Sequence, residues 1–450
     1  MKNLSRRSFL KSSATAGIGI VFIPNLISHS PNTQKLRFAM IGVGGRGQAS
    51  WSQVPVDSLV AMCDVDDRMS QEAKKAVPNA KWYKDYRKMF DEMANEIDAV
   101  MVATPDLSHF PAAMAAMELG KHVFVEKPLA HNIWQLRTLK KAAKHYGVVS
   151  QMGNQGHTTN GIRLVKEWYE AGVLGEVKEV IAWQGKIDFE KDSYFAKPNS
   201  FPPQAEPVPN GLDWNLWQGP TAVRPFNNLY APRTWRGFYD LGNGKLGDWC
   251  CHTLDAPFWA LDLGLPETAE AIVKDPVPDH SFVATESVVT WQFGARGNKA
   301  PVTMKWYEGI KKPAVRPEWG VDELPRAGMI MIGDKKTLIT GMRPNNPSLL
   351  VPKKELKAFL KNPPAQTYPR VGEEKPVQEW VDAIKNNTLP GSNFDYAASL
   401  MEMAQVGILA QRFGGKITYD AANMKAVGRP ELDAYIKEPM REGWAYGENL

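Results

Sequence analysis

Lys35-Leu36-Arg37-Phe38-Ala39-Met40-Ile41-Gly42-Val43-Gly44-Gly45-Arg46-Gly47 carries an apolar, strand-like run straight into a cluster of glycines. Gly42, Gly44 and Gly47 have the G-x-G-x-x-G spacing that opens a dinucleotide-binding βαβ unit. The first glycine allows a tight turn, the second lets the backbone approach a pyrophosphate, and the third lets helix and strand pack closely. The phosphates then sit on the next helix's N-terminus, where free N–H groups and the helix dipole favour negative charge. Gly45 and Arg46 belong to the same turn.

A second apolar run, Ser58 to Cys63, ends in Asp64, 22 positions after Gly42. That is the place of an acid that binds ribose hydroxyls. A carboxylate there repels a 2′-phosphate and favours NAD over NADP, and Asp66 and Asp67 add to the repulsion. Two readings compete: Asp64 merely ends a strand, and Arg46 reaches a 2′-phosphate and restores NADP binding.

The chain has 450 residues, 43% hydrophobic and 23% charged, enough core material for two domains. No apolar run reaches about 18 residues, so no spanning helix is expected. Ser5-Arg6-Arg7-Ser8-Phe9-Leu10-Lys11, followed by an apolar stretch from Ala14 to Ile27, reads as a twin-arginine export signal over residues 1–32. It implies the Tat translocase as a partner, a periplasmic location and, if uncleaved, a membrane tether. The cations of residues 1–30 account for four of the net +5 charges, so the basicity is no argument for nucleic acid. Cys63, Cys250 and Cys251 form no disulfide framework and read as small apolar packers, and no Cys/His cluster has zinc spacing. Tat carries folded proteins, and free nicotinamide nucleotide is scarce outside the cytoplasm. A tightly held, recycled cofactor is the expectation.

Residues 33–155 alternate strand and helix through short loops, with strands at Ala99–Ala103, His122–Val125 and Val148–Met152 and helix stops at Gly120 and Gly147. This predicts a doubly wound parallel sheet. From 156 to 430 the runs Val177–Gly185, Val283–Phe293, Val302–Tyr307 and Met329–Ile332 predict an α+β domain with a mainly antiparallel sheet, closed by helices at Val377–Asn386 and Tyr396–Phe413. An insertion over 188–245 is dense in Pro, Gly, Trp and Asn, and a loop that long is usually functional. Residues 343–376 read as a surface excursion, and 431–450 as a tail.

Two clusters carry chemistry. Glu126-Lys127-Pro128 follows directly on a strand; Pro128 biases Lys127 towards an extended backbone, so its ammonium leaves at the carboxyl end of the sheet, where ligands of such sheets bind. A surface lysine capping a strand is the competing reading. Asp248 and His252 are spaced i, i+4, so on a helix they share a face, and the carboxylate is expected to orient the imidazole and favour its protonated form. Removing hydride from an alcohol needs a base for the hydroxyl proton, and histidine is the usual candidate. In the insertion, Trp214, Trp217, Tyr230, Trp235 and Tyr239 read as an aromatic mini-core or as sugar-stacking faces, with Arg233 and Arg236 as hydroxyl or carboxylate partners. Trp249, beside the acid/base pair, is the better stacking candidate. His157 and His280 read as isolated surface or packing residues.

With the glycine turn, Ala103-Thr104-Pro105 followed by His109, Gly120 to Pro128 with its Glu-Lys-Pro, and the Asp248…His252 spacing, the chain resembles the Gfo/Idh/MocA oxidoreductases over nearly its whole length after the leader. The resemblance implies a Rossmann domain joined to a substrate domain whose sheet serves as an oligomer interface. It implies Lys127, Asp248 and His252 as the catalytic group, with His252 as acid/base. Thr104 and Glu126, with His109 nearby, would line the NAD cleft; the residue reading itself adds Trp249, Trp235 and Arg236 as candidates to face substrate. Many relatives carry Arg-Phe where this chain has Met152-Gly153-Asn154-Gln155-Gly156-His157. The expected activity is hydride transfer at a secondary hydroxyl of a sugar, glycoside or cyclitol. The alternatives are a glycoside hydrolase or lyase with recycled NAD, and a non-catalytic sugar-binding protein.

Overall fold

The structure, a computed structural model, describes residues 35–190, 193–309 and 312–450. The export-signal reading of residues 1–32 lies outside them.

The N-terminal half builds six parallel strands: β1 (Phe38–Ile41), β2 (Leu59–Cys63), β3 (Lys81–Tyr83), β4 (Ala99–Val102), β5 (His122–Glu126) and β6 (Ser150–Gly153). Their order is β3-β2-β1-β4-β5-β6, the doubly wound Rossmann arrangement. β1 and β4 are buried at every residue, as a strand covered on both faces must be, and their unbroken apolar runs follow from it. The intervening helices are α1 (Arg46–Trp51), α2 (Asp67–Ala76), α3 (Tyr86–Met93), α4 (His109–Met117) and α5 (Ile133–His145). Asp66, Asp85 and Asn132 cap α2, α3 and α5 by accepting backbone N–H bonds. Gly120 and Gly147 follow α4 and α5 at φ +70° and +62°, the left-handed turn at which glycine ends a helix cheaply.

The second half places α6 (Asn160–Glu170), α7 (Gly244–Thr253), α8 (Asp255–Leu261), α9 (Pro376–Asn386) and α10 (Phe394–Phe413) around a nine-stranded sheet. Its strands are β7 (Val177–Gln184), β8 (Thr268–Lys274), β9 (Glu286–Phe293), β10 (Val302–Glu308), β11 (Gly328–Gly333), β12 (Thr337–Gly341), β13 (Ser348–Leu349), β14 (Gly415–Asp420) and β15 (Lys425–Val427), ordered β13-β12-β11-β7-β10-β9-β8-β14-β15. All neighbours are antiparallel except β7 and β10. The expected α+β architecture is present. β8, β12, β14 and β15 escaped the sequence reading: β14 alternates buried Ile417 and Tyr419 with polar neighbours, β15 is only three residues long, and β8 carries the exposed Ile272 among its charged residues.

α10 is apolar on nearly every side because it is enclosed on nearly every side. It packs on β8, β9 and β14, on α7, and on α5 and β6 of the first domain. A Cβ at Gly407 would lie 2.3 Å from the Trp291 ring, and Trp291 Nε1 donates to the Met403 carbonyl at 3.0 Å. Arg137 of α5 makes a bidentate pair with the buried Glu402 of α10, which joins the domains.

Two excursions return to the nucleotide half. In the insertion, Asp213 N–H donates to the Val65 carbonyl at 2.9 Å and Asp67 N–H to the Gly211 carbonyl at 3.0 Å, so residues 211–213 lie on the turn after β2. Trp214 stacks on Trp217 at 4.8 Å and meets Phe226 edge-on at 5.2 Å, while Tyr230, Phe238 and Phe282 continue the cluster. The mini-core reading therefore holds for most of these rings. The C-terminal segment is no loose tail. Glu438 takes hydrogen bonds from His131 and Asn132, Arg441 N–H donates to Pro220, and Trp444 lies under Arg87 at 4.4 Å.

Candidate active site

A cavity of about 600 Å³ lies outside the carboxyl ends of β1, β2, β4 and β5, where ligands of open parallel sheets bind. Gly42, Gly44, Gly45, Arg46, Asp64, Thr104, His109, Glu126 and Lys127 line it from the nucleotide domain; Trp235, Arg236, Asp248 and Trp249 line it from the other side.

The turn owes its shape to glycine. Gly42 stands at φ +83°, and a Cβ there would lie 2.7 Å from the Ala103 carbonyl oxygen. A Cβ at Gly47 would lie 2.0 Å from the Gly42 oxygen; Gly47 does not line the cavity and serves the packing of α1 on the turn. Gly45 faces open space. The Asp64 carboxylate accepts the Val43 N–H and Asp66 N–H, each at 2.9 Å, which holds the turn against the end of β2. Burial pushes this carboxyl above the ordinary range, against the pull of those backbone donors.

The cavity fits a dinucleotide in its unmet bonding as well as its shape. The hydroxyl of Thr104 and Oε2 of Glu126 are buried and have no partner among the described residues, a state expensive enough that a ligand group is expected to meet it. Oε1 of Glu126 is occupied by Arg46 Nε at 2.9 Å and Ser50 Oγ at 2.8 Å. His109 is tied to the backbone of the cavity wall. Its ring nitrogens face the Pro128 carbonyl at 2.7 Å and the Thr104 carbonyl at 2.8 Å. Each carbonyl can accept a ring N–H, so the contacts hold His109 against the two cleft loops.

Across the cleft, Lys127 Nζ donates to Asp248 Oδ1 at 2.5 Å and to the Asp248 carbonyl at 3.1 Å. Burial works against the Lys127 charge, but the Asp248 carboxylate outweighs it and raises the ammonium above its usual range. Asp248 moves the opposite way: Lys127 and Arg236 overcome burial and hold its carboxyl low. Both groups stay charged, so Lys127 is a hydrogen-bond donor rather than a base. Trp249 lies with its ring 5.9 Å from this ammonium and 5.6 Å from the His252 ring. The Arg236 guanidinium sits between Trp235 at 4.2 Å and Tyr194 at 4.6 Å.

His252 is one turn beyond Asp248 on α7, buried, and outside the lining of the cavity. Asp248 does not orient it, contrary to expectation, because Lys127 occupies that carboxylate. Instead His252 Nδ1 meets Asn154 Oδ1 at 2.9 Å. Nor is its protonated form favoured: burial first, then the charges of Lys127, Arg343 and Arg46, hold it well below the ordinary imidazole range. At neutral pH it is an uncharged base. For His157 the packing reading holds over the surface one. It is buried and meets Asp255 Oδ2 at 3.0 Å; His280 is exposed.

Sequence reasoning missed Asp106, Asp255 and Trp444. Asp106 is buried in the cavity wall and accepts the Asn243 backbone N–H at 3.1 Å and its amide at 3.0 Å, which anchors the start of α7 to the loop after β4. Its only sequence signal was the Thr104-Pro105-Asp106 strand end. Trp444 lines the cavity from the far C-terminus, and no local pattern announces such a contact.

Residues 36–154 match the oxidoreductase family's NAD-binding Rossmann fold, and residues 158–293 match its C-terminal alpha/beta domain. Among curated relatives, a "Glycosyl hydrolase family 109 protein" of Parabacteroides distasonis is 27% identical over 262 residues, covering 52% of each chain. One of Solibacter usitatus is 31% identical over 201 residues, covering 39% of this chain and 45% of its own. The chain thus spans about half, or less, of the length of these relatives. The WlbA dehydrogenase of Bordetella pertussis, solved with NADH and UDP-GlcNAcA, superposes with a TM-score of 0.59 at 17% identity, over 86% of this chain and 99% of that one. An inositol dehydrogenase homolog of Azotobacter vinelandii, solved with NADH and myo-inositol, gives 0.56 at 19% identity, over 86% and 98%. At such identities these structures speak for the fold alone. The two family matches together span more than half of the chain and meet the Rossmann sheet, the glycine turn and the facing Lys127–Asp248 pair in one molecule: the chain belongs to the Gfo/Idh/MocA oxidoreductase family.

Proposed function

We propose that the protein is a NAD-dependent oxidoreductase acting on a secondary hydroxyl of a sugar, glycoside or cyclitol, with His252 as acid/base. The observation that carries the reading is the Lys127 ammonium locked to Asp248 on the cavity wall, with the buried His252 one turn beyond Asp248 on the same helix. Lys127 donates to the reacting oxygen and stabilises the negative charge that grows there, while His252 takes the hydroxyl proton. Trp249 offers a flat face to a sugar ring, and Arg236, braced between two rings, offers donors to its hydroxyls. Glu126, Thr104, Asp64 and the glycine turn hold the dinucleotide, which supplies the hydride-accepting ring when bound. Asp64 and Asp66 in the lining favour NAD over NADP, and Arg46, engaged by Glu126, is not spare for a 2′-phosphate.

A second reading, glycoside cleavage with NAD oxidised and restored in each turnover, is favoured by the straps around residues 211–217 and 438–444, which bring Leu216, Trp217 and Trp444 into the cavity wall, and by the family 109 relatives. Cofactor-loaded protein offered free sugars and glycosides separates the two. Net NADH formation from a free sugar supports the first, and reducing sugar released without net NADH supports the second. Binding without turnover, unchanged in Lys127→Ala and His252→Ala, overturns both.

The Ser5–Lys11 pattern supports export by Tat to the periplasm, tested by following the chain in cells lacking that translocase. The outward row Ile272, Val288 and Tyr307, adjacent across β8, β9 and β10, supports a homo-oligomer through the open sheet face, tested by light scattering of Ile272→Asp.

A further inference from the structure

We propose that Asp255, acting through Asn154, is a positioning residue that sets the tautomer of His252 and so leaves Nε2 as its proton acceptor. The proposal deepens the reading of His252 as acid/base and rests on it.

The argument is one of donors and acceptors. Asp255 is completely buried. Tyr396 OH donates to Oδ1 at 2.5 Å, His157 Nδ1 meets Oδ2 at 3.0 Å, and Asn154 Nδ2 donates to Oδ2 at 2.9 Å. A carboxylate only accepts, so the Asn154 amide must turn its NH₂ towards Asp255. Its carbonyl oxygen then faces His252 Nδ1 at 2.9 Å. That oxygen also only accepts, so Nδ1 must carry the hydrogen. A neutral imidazole has one N–H, and the lone pair is left on Nε2. When Nε2 takes a substrate O–H proton, the Nδ1–H bond to Asn154 stays in place and no proton enters the amide.

The intervening amide has a second effect. A carboxylate in contact with the imidazole would raise its basicity. Here the negative charge stands one side chain away, and the charges that act on His252 are those of Lys127, Arg343 and Arg46. Tautomer and charge are thereby set separately. Asn154 and His157 lie in the segment where the Arg-Phe of many relatives is replaced, and α7 and α8 bring His252 and Asp255 to it.

The test reads the ring nitrogens directly. The chain has eight histidines, so ¹⁵N-histidine labelling with His252→Gln as the assignment control isolates the His252 signals in long-range ¹H–¹⁵N spectra. The wild type should show a protonated Nδ1 and a bare Nε2; the reverse overturns the proposal without any variant. Asp255→Asn frees the Asn154 amide to turn, so the His252 tautomer should shift or mix and kcat should fall about 10²-fold. The exchanged pair Asn154→Asp with Asp255→Asn puts a carboxylate against Nδ1. It should restore the tautomer and much of kcat, and move the acid limb of the pH–rate profile to higher pH. A folded Asp255→Asn protein with wild-type His252 signals and pH profile overturns the proposal. Full turnover in His252→Ala overturns the acid/base reading beneath it, whatever the spectra show.

Discussion

The Lys127 ammonium at the end of β5 and the Asp248 carboxylate on α7 meet at 2.5 Å across the cleft, with side chains only 14% and 15% exposed. One ion pair therefore joins the two sides of the cavity wall and ties the two domains. Breaking a pair this sheltered leaves one charge without its partner. Lys127→Ala should cost about 3 kcal/mol of stability and at least about 10²-fold in kcat. The double variant Lys127→Met with Asp248→Leu should recover most of the stability and none of the activity. Urea denaturation beside turnover measures both; equal stability losses in the single and double variants would refute the pairing.

The glycine turn makes a sharper contrast. Gly47→Ala drives a Cβ to 2.0 Å from the Gly42 oxygen, which is backbone and can yield only by moving the turn. It should abolish nucleotide binding and destabilise the nucleotide domain. Gly45 sits at φ +52° with nothing within 4 Å of a Cβ. With ψ at −115° this is not the left-handed helical region that Asn tolerates but backbone that essentially only glycine adopts, so Gly45→Ala should cost about 1–3 kcal/mol in strain without a clash and keep the fold. Calorimetric titration with NAD and thermal melts distinguish the two.

The acid side of the stability curve follows from His252. Its folded pKa is well below the ordinary imidazole value of 6.5, so the unfolded chain takes up a proton there that the folded chain refuses. Stability rises with pH wherever the unfolded state binds more protons; His252 therefore costs stability progressively as pH falls below about 6.5. Asp248, held low, adds stability above the unfolded carboxylate value that is lost as pH falls through its folded value. His131 has the opposite sign: Glu438 overcomes burial and raises it, so its contribution is lost as pH rises through the folded value. The difference between wild type and His252→Asn isolates the first effect. Urea midpoints from pH 5 to 7 should slope less in the variant, and an equal slope would contradict a neutral buried imidazole.

Much of this was legible because the chemistry is local. The glycine turn, the acid ending β2 and Glu126-Lys127-Pro128 each lie within a short run whose strand context the same run supplies. Asp248 and His252 were legible as residues but not as a pair. Their i, i+4 spacing says that they share a helix face, and it cannot say that Lys127, 121 positions earlier, takes the carboxylate first. Asn154, Asp255 and Tyr396 come from three separate segments and meet only when α8 packs on the turn after β6 and α10 on β6. His109 lies in the cavity lining, but the carbonyls of Thr104 and Pro128 that face its ring nitrogens come from separate loops, contacts that no local pattern announces.

The C-terminal strap yields the last expectation. Trp444 lines the cavity, lies under Arg87 at 4.4 Å and meets Tyr86 edge-on at 6.2 Å, while Glu438 anchors the segment on His131 at 2.6 Å. Leu216 and Trp217 line the cavity beside Trp444, so release of a bound dinucleotide is expected to depend on these segments opening. Trp444→Ala removes the ring that closes the wall and leaves the Glu438 anchor intact. It should leave the glycine turn and the Lys127–Asp248 pair in place and speed nucleotide release at least about tenfold, the equivalent of 1.4 kcal/mol. His131→Ala with Glu438→Ala should loosen the same strap from its other end and give a similar acceleration. Protein purified with its nucleotide and chased with excess unlabelled NAD reports the rate. Unchanged release in both variants would mean that the strap covers the cleft without controlling it.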